Sequence, residues 1–163
     1  MINKSFIKVI LLIVVILYVQ FFIPAFSFNN LDIVADILII FLTYIGFYYG
    51  RFYTFLLGFI FGITQDFITQ IDLLGAMALT KSAIGFGLGT LALYRNILPI
   101  KSKMLFIFLM YFLHFLIFYF IKFNGVSIPI AISIQVITIH TLLSYLILFI
   151  IEKSFFKHGV TVE

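Results

Sequence analysis

The chain has 163 residues, of which 64% are hydrophobic and only 10% are charged, and its mean hydropathy is +1.28. So few polar residues cannot cover the surface of a soluble domain, and the composition therefore indicates a protein that lies in lipid. The net charge of +4 comes from bases at the ends of hydrophobic stretches rather than in a stripe with stacking aromatics, which argues against a nucleic-acid interface.

Six hydrophobic stretches follow one another, joined by loops too short to hold a soluble domain. Their long unalternating runs fit helices rather than barrel strands, so we predict an all-α, polytopic membrane helix bundle of about six transmembrane helices. The predicted spans cover about 6–23, 36–49, 52–68, 73–93, 104–121 and 128–151. With a polar tail at 152–163, they form a single membrane domain over 1–163.

The first stretch starts like a signal peptide, with Lys4 and Lys8 ahead of an apolar run. The run is too long for a typical cleaved signal and further spans follow it, so we expect a retained first helix. It ends at Pro24, and the polar residues at 27–30 predict a turn.

When the loops are assigned alternately to two sides, the basic residues fall almost entirely on one side. That side holds Lys4, Lys8, Arg51, Arg95, Lys101, Lys103, Lys153 and Lys157, and the other holds only Lys122. By the positive-inside rule the first side is the cytoplasm, so both termini are expected there, in the bacterial inner membrane. The carboxylates expected at the outer face are Asp32, Asp36, Asp66 and Asp72.

Small and charged residues recur at every fourth position in the third and fourth predicted spans. The two stripes are Gly58, Gly62 and Asp66, and Lys81, Gly85 and Gly89. This spacing places each stripe on one helix face, where small residues let a neighbouring backbone approach closely. We therefore expect the two stripes to face each other.

Lys81 lies inside the fourth predicted span, where an unpaired ammonium costs about 3 kcal/mol. Because helical side chains lean toward the N-terminus, its head is expected to reach the level of Asp66 or Asp36. We predict an ion pair or a hydrogen-bonded polar cluster there, and contact with a ligand is the alternative. The same three residues are our candidates for partner binding.

His114 and His140 are expected at mid-depth of the fifth and sixth spans. Polar residues at that depth usually face the bundle interior, so an interhelical hydrogen bond is the favoured role and a proton relay the alternative. The polar residues expected to join them are Gln135, Thr138, Thr141 and Ser144.

The sequence lacks the patterns that predict catalysis. It contains no nucleophile placed with a base, no phosphate-binding loop and no dinucleotide fingerprint, and it has no cysteine. Two histidines without a carboxylate at ligand spacing do not predict a zinc site. We expect no catalytic residue, no cofactor and no metal.

The middle of the chain carries a series of short motifs. In order they are Ala35-Asp36-Ile37-Leu38-Ile39-Ile40, Tyr49-Gly50-Arg51, Gly58-Phe59-Ile60-Phe61-Gly62 leading to Gln65-Asp66, and Leu74-Gly75-Ala76-Met77-Ala78-Leu79. Over residues 32–93 this series resembles the family of rod shape-determining protein MreD. In that family an aspartate opens the second span, a glycine-rich third span ends in aspartate, and a Leu-Gly element opens the fourth. This chain departs from the family at Ala35, where many members have proline, and at Lys81, where an uncharged residue is more usual.

The resemblance implies a noncatalytic inner-membrane component of the bacterial cell-elongation machinery, which sets rod shape and directs peptidoglycan synthesis. Its implied partner is the bitopic protein MreC. Through MreC it would connect indirectly with the filament protein MreB, the glycosyltransferase RodA and a class B penicillin-binding protein. Membrane lipids are further expected contacts, and nucleic acid is not.

The MreD family is also similar in fold to the substrate-binding subunits of energy-coupling-factor vitamin transporters. In that alternative, Asp36, Asp66 and Lys81 line a pocket for a small polar ligand that enters from outside. In the favoured scaffold interpretation, small-residue faces organise the bundle and its surface holds the partner. The residues assigned to helix packing are Gly58, Gly62, Gly75, Gly85 and Gly89.

Overall fold

A computed structural model describes residues 4–28, 31–126 and 128–155 of the chain. In chain order its elements are α1 (Lys4–Phe21), β1 (Phe26–Phe28), β2 (Leu31–Ile33), α2 (Ile37–Tyr49), α3 (Arg51–Thr69), a 3-10 turn (Ile71–Leu73), α4 (Ala76–Gly89), α5 (Leu91–Tyr94), α6 (Ile100–Lys122) and α7 (Ile130–Phe155). The protein is mostly helical, at 79%.

Four helical stretches are long and apolar enough to cross a membrane. They are Arg51–Thr69, Ala76–Tyr94, Ile100–Lys122 and Ile130–Lys153. Two further apolar helices among the described residues, Leu11–Phe21 and Ile37–Tyr49, are shorter. At 1.5 Å per residue, α2 extends only about 20 Å, which is less than the hydrocarbon thickness of about 30 Å. The chain is therefore a membrane protein by length and composition of its helices, and the count of six spans stays a prediction.

A small β-hairpin follows α1, where the sequence predicted only a turn. β1 and β2 pair antiparallel, with Phe26 opposite Ile33 and Phe28 opposite Leu31. The expectation of an all-α chain is wrong in this segment, because two strands of three residues are too short to show a period in the sequence. The predicted turn residues Asn29 and Asn30 lie outside the described residues.

The fourth predicted span is not one continuous helix from residue 73. Gly75 adopts a left-handed conformation with φ of 99°, which separates the 3-10 turn from α4. α4 ends at Gly89, and α5 continues it as a short helix after Thr90. At the other end of the chain, α7 runs to Phe155, so the predicted polar tail begins as helix, and residues 156–163 lie outside the described part.

The interior contains two apolar clusters. The first comprises buried residues of α2 to α7, including Leu38, Leu42, Phe61, Leu88, Tyr111 and Leu148. The second comprises Ile33, Ala76, Met77, Phe115, Phe118, Tyr119, Val136 and Ile137. Along α4 and α6 the two clusters occupy successive turns, and between them lie Lys81 of α4 and His114 of α6, which are polar and fully buried. A polar layer thus separates the two apolar clusters.

Candidate functional site

Asp36 Oδ2 and Lys81 Nζ form an ion pair in the polar region between the two apolar clusters. Their side chains are 3% and 0% exposed. Asp36 also begins α2 as its N-cap, since its Oδ1 accepts the Ile39 N–H at 3.2 Å. The carboxylate therefore neutralises the buried ammonium and satisfies a helix N-terminus at the same time.

Two further helices reach the same aspartate. His114 of α6 places Nε2 3.5 Å from Asp36 Oδ2. Ser144 of α7 accepts the backbone N–H of Asp36 at 3.4 Å. We define Asp36, Lys81, His114 and Ser144 as the polar layer. Its members come from four different elements, so it links α2, α4, α6 and α7.

The extended segment that precedes α2 is held by side chains rather than by secondary structure. Gln20 of α1 donates from Nε2 to Ala35 O at 3.1 Å and accepts the Ile37 N–H at 2.7 Å. His140 of α7 contacts Val34 O through Nε2. Irregular backbone inside a membrane protein must be satisfied within the protein, and these contacts do so. Sequence reasoning missed Gln20, whose signal is a lone amide near the end of a hydrophobic helix.

Asp66, the other acid that the sequence suggested as a partner for Lys81, does not take part in the ion pair. Its carboxylate accepts the backbone N–H groups of Gly75 at 2.9 Å and of Met77 and Ala78 at 3.1 Å. It also accepts from Gln70 Nε2 at 2.9 Å. A carboxylate at a helix N-terminus is favoured by the helix dipole and by the free N–H groups there. Asp66 therefore clamps the end of α3 to the start of α4 and leaves Lys81 to Asp36.

Four predicted packing glycines lie where α3 and α4 meet at backbone distance. A Cβ on Gly58 would approach Lys81 O, and one on Gly62 would overlap the backbone of Ala78. From the other helix, Gly85 lies against Thr54 O, and Gly89 against the backbone of Arg51. The two stripes do face each other, as their spacing predicted.

Gly75 does not share that role, so its assignment to helix packing was wrong. No atom lies within 4 Å of its added Cβ, and its φ of 99° is the feature that requires glycine. Conversely, Gly46 of α2 was missed. A Cβ there would lie 2.9 Å from the carbonyl carbon of Leu88, so α2 also packs against α4 at backbone distance.

His140 makes an interhelical contact of the kind predicted. Its Nδ1 lies 3.1 Å from the Tyr119 hydroxyl, and its ring stacks on Phe115 at 3.9 Å between centroids. Of the residues expected to join the histidines, only Ser144 enters the polar layer. Gln135 is exposed, and the Thr138 and Thr141 hydroxyls donate to carbonyls of their own helix. Among the described residues, no group of three His, Asp or Glu side chains is placed to hold a metal ion.

A polar cavity of about 360 Å³ opens beside the polar layer. Its polar lining residues are Gln20, Asp32, Asp36, Gln65, Thr69, Gln70, Tyr119, Lys122 and His140. Lys81 does not line this cavity, because its ammonium pairs with Asp36. Gln65 is 8% exposed, and its Oε1 has no hydrogen-bond partner among the described residues. We define this space, between the hairpin and the ends of α1, α3 and α6, as the polar cavity.

In the polar layer the charges of Asp36 and Lys81 neutralise each other, whereas the open polar cavity is lined by an acidic residue, Asp32, and a basic residue, Lys122. Comparison of the chain with protein-family models, with curated proteins and with solved structures found no match.

Proposed function

We propose that this chain is a noncatalytic scaffold of the bacterial inner membrane, of the MreD type, which binds an MreC-type bitopic partner in the cell-elongation machinery. One observation supports this most strongly. The residues that carry the resemblance are used for internal architecture: Asp36 caps α2 and holds Lys81, while Asp66 clamps α4. When the distinctive polar residues of a protein make internal contacts of this kind, the protein presents a rigid surface to a partner rather than reactive groups.

The expected position of the scaffold in its machinery follows from the same proposal. The MreC-type partner connects it indirectly with MreB, with RodA and with a class B penicillin-binding protein. No catalytic step is assigned to this chain. Its contribution is a fixed membrane-embedded surface against which a partner helix or an extracytoplasmic segment packs.

The proposed orientation has six spans with both termini in the cytoplasm. Basic residues of α3 and α6 lie at one end of the bundle, against α4 and α2. The Arg51 guanidinium of α3 lies 5.2 Å from the ring centroid of Phe86 in α4, and Lys103 Nζ of α6 lies 5.6 Å from that of Phe47 in α2. Lys103 also donates to Arg95 O. At the opposite end, Asp32 and Lys122 line the polar cavity. The clustering of bases at one end supports the positive-inside assignment.

The alternative function is a substrate-binding subunit of an energy-coupling-factor type vitamin transporter. The observation that favours it is the polar cavity, whose volume of about 360 Å³ and mixed charges suit a small polar ligand. In this alternative, Asp32, Lys122 and Gln65 would contact the ligand. Asp66 and Lys81, which the sequence suggested as lining residues, do not line the cavity.

Depletion of the chain in a rod-shaped host separates the two functions. The scaffold proposal expects rounded cells and co-purification of an MreC-type protein in mild detergent. A host that keeps its shape and loses uptake of a vitamin would overturn the proposal and favour the transporter. The matched variant is Lys122→Gln, which alters the polar cavity and leaves the polar layer intact. It is expected to restore shape as well as the wild type if the chain is a scaffold, and to fail in uptake if the chain is a transporter.

A further inference from the structure

Two apolar grooves lie at the basic end of the bundle, on either side of the contact between α6 and α7. The first has a volume of about 600 Å³ and runs between Leu105 and Phe108 of α6 and Tyr145 and Phe149 of α7. The second has a volume of about 550 Å³ and lies between α2 and the α6–α7 pair, where Phe47 and Leu148 line it. We call them the outer groove and the inner groove.

The two grooves share one rim. Ile100, Met104 and Glu152 line both of them, so the grooves converge where α6 begins and α7 ends. From there the outer groove extends along α6 from Ile100 to Phe108, a distance of about 12 Å at 1.5 Å per residue. Two apolar grooves that converge beside one charged residue, Glu152, have the form required by two acyl chains that meet at one headgroup.

Charged residues of both signs surround this shared rim. Lys101 and Lys153 line the outer groove, Lys103 lines the inner groove, and Glu152 lines both. Among the described residues, no cationic nitrogen lies within 4 Å of the Glu152 carboxylate, since the ion pairs present involve Asp36 alone. A half-buried carboxylate beside an apolar groove is costly in the membrane unless a cation approaches it.

We propose that the outer and inner grooves together bind one phospholipid with a primary-amine headgroup, of the phosphatidylethanolamine class. One acyl chain occupies each groove, on the two sides of the ridge formed by Ile100 and Met104. The phosphate lies among Lys101, Lys103 and Lys153, and the headgroup ammonium donates to Glu152. A purely anionic headgroup would satisfy the lysines but would bring negative charge to Glu152. This site is independent of the proposed scaffold function.

Native mass spectrometry of the full chain tests the site directly. The detergent-purified protein is mixed with equal amounts of phosphatidylethanolamine, phosphatidylcholine and phosphatidylglycerol of identical acyl chains, and bound lipid is counted. We expect the ethanolamine lipid to be favoured by about fivefold over both others, because choline has no N–H to donate and glycerol has no charge for Glu152. Equal binding of the three lipids, or a preference for phosphatidylglycerol, would overturn the proposal.

Two sets of variants separate the halves of the headgroup site. Glu152→Gln is expected to abolish the preference for the ethanolamine lipid and to raise phosphatidylglycerol binding, while Asp72→Asn, at an exposed acid at the other end of the bundle, leaves the preference unchanged. Lys101→Gln combined with Lys153→Gln is expected to weaken all three lipids alike, because each of them carries the phosphate. An unchanged preference in Glu152→Gln, in a protein that still migrates as a single species, contradicts the assignment of the ammonium to Glu152.

Discussion

Lys81 in the middle of α4 and Asp36 at the start of α2 form a deeply buried ion pair between two apolar clusters. Each charge compensates part of the desolvation penalty that the other incurs in a low-dielectric interior. Because Asp36 also caps α2 and contacts α6 and α7, the pair fixes the relative positions of four helices. The following predictions concern this arrangement, the α3–α4 contact and the orientation of the bundle.

Replacing Lys81 by methionine is expected to destabilise the protein strongly. The substitution keeps the apolar stem but leaves the Asp36 carboxylate buried without its cation, a change that costs about 3–5 kcal/mol in comparable buried pairs. Reversible unfolding in mixed micelles measures the loss of free energy. Lys101→Met is the matched control, because Lys101 is exposed and has no such partner among the described residues.

The double variant Asp36→Asn with Lys81→Met tests whether the loss comes from the unpaired charge. Asparagine keeps the N-cap hydrogen bond to Ile39 while it removes the negative charge. We expect the double variant to be more stable than Lys81→Met alone. If the losses of unfolding free energy caused by the two substitutions are additive, the ion pair is not what stabilises this region.

Removing the Asp66 carboxylate is expected to loosen the connection between α3 and α4. Asp66→Ala leaves the Gly75, Met77 and Ala78 N–H groups without their acceptor, and we expect a loss of about 2–4 kcal/mol from several charge-assisted bonds. Hydrogen exchange of the first turn of α4 is expected to accelerate. Asp72→Ala, at an exposed position in the adjacent turn, should change neither quantity. Equal effects of the two substitutions would contradict the clamp.

The close approach of α3 and α4 predicts different outcomes for two helical glycines. Gly62→Ala is expected to cost about 1–3 kcal/mol, because the new methyl group meets the Ala78 backbone, which cannot move aside. Gly87→Ala meets the flexible Met110 side chain, whose sulfur is the nearest atom, and is expected to be neutral or slightly stabilising. Both gain the same helix propensity of about 1 kcal/mol, so their difference in unfolding free energy reports packing alone. Equal stability of the two variants would show that the helices are not in backbone contact.

The absence of cysteine allows the proposed orientation to be tested by labelling without background. Asp72→Cys and Ser102→Cys place thiols at exposed positions on opposite ends of the bundle. Cells from which the outer membrane has been removed are treated with a maleimide that cannot cross the inner membrane. The Asp72→Cys thiol is expected to react in these unlysed cells, and the Ser102→Cys thiol only after lysis. The reverse pattern would invert the orientation, and reaction of both in intact cells would contradict the alternation of spans.

Periodicity in the sequence predicted the parts of the fold that depend on repeated spacing. The glycine stripes of α3 and α4 face each other because a spacing of four residues defines one helix face wherever the helix packs. The contact of Lys81 with an acid was also predictable, since an intramembrane charge needs a partner. The choice between Asp36 and Asp66 was not, because it depends on which acid the free N–H groups of α4 attract.

Other features depend on contacts between distant parts of the chain. Gln20 and Ser144 both bind the segment before α2, and nothing near them in sequence indicates that segment as their target. The left-handed Gly75 was confused with a packing glycine because both roles require a missing Cβ. The β-hairpin escaped prediction because each strand has only three residues.

Affinity isolation of the tagged full chain from the membranes of its own host tests the central claim most directly. The scaffold account predicts that a bitopic MreC-type protein is recovered with it in near-stoichiometric amount. It also predicts that Asp66→Ala, which loosens α3 and α4, reduces this recovery at equal expression, while Lys122→Gln at the polar cavity does not. Recovery of the chain with an ATPase module and without any MreC-type protein would contradict the account.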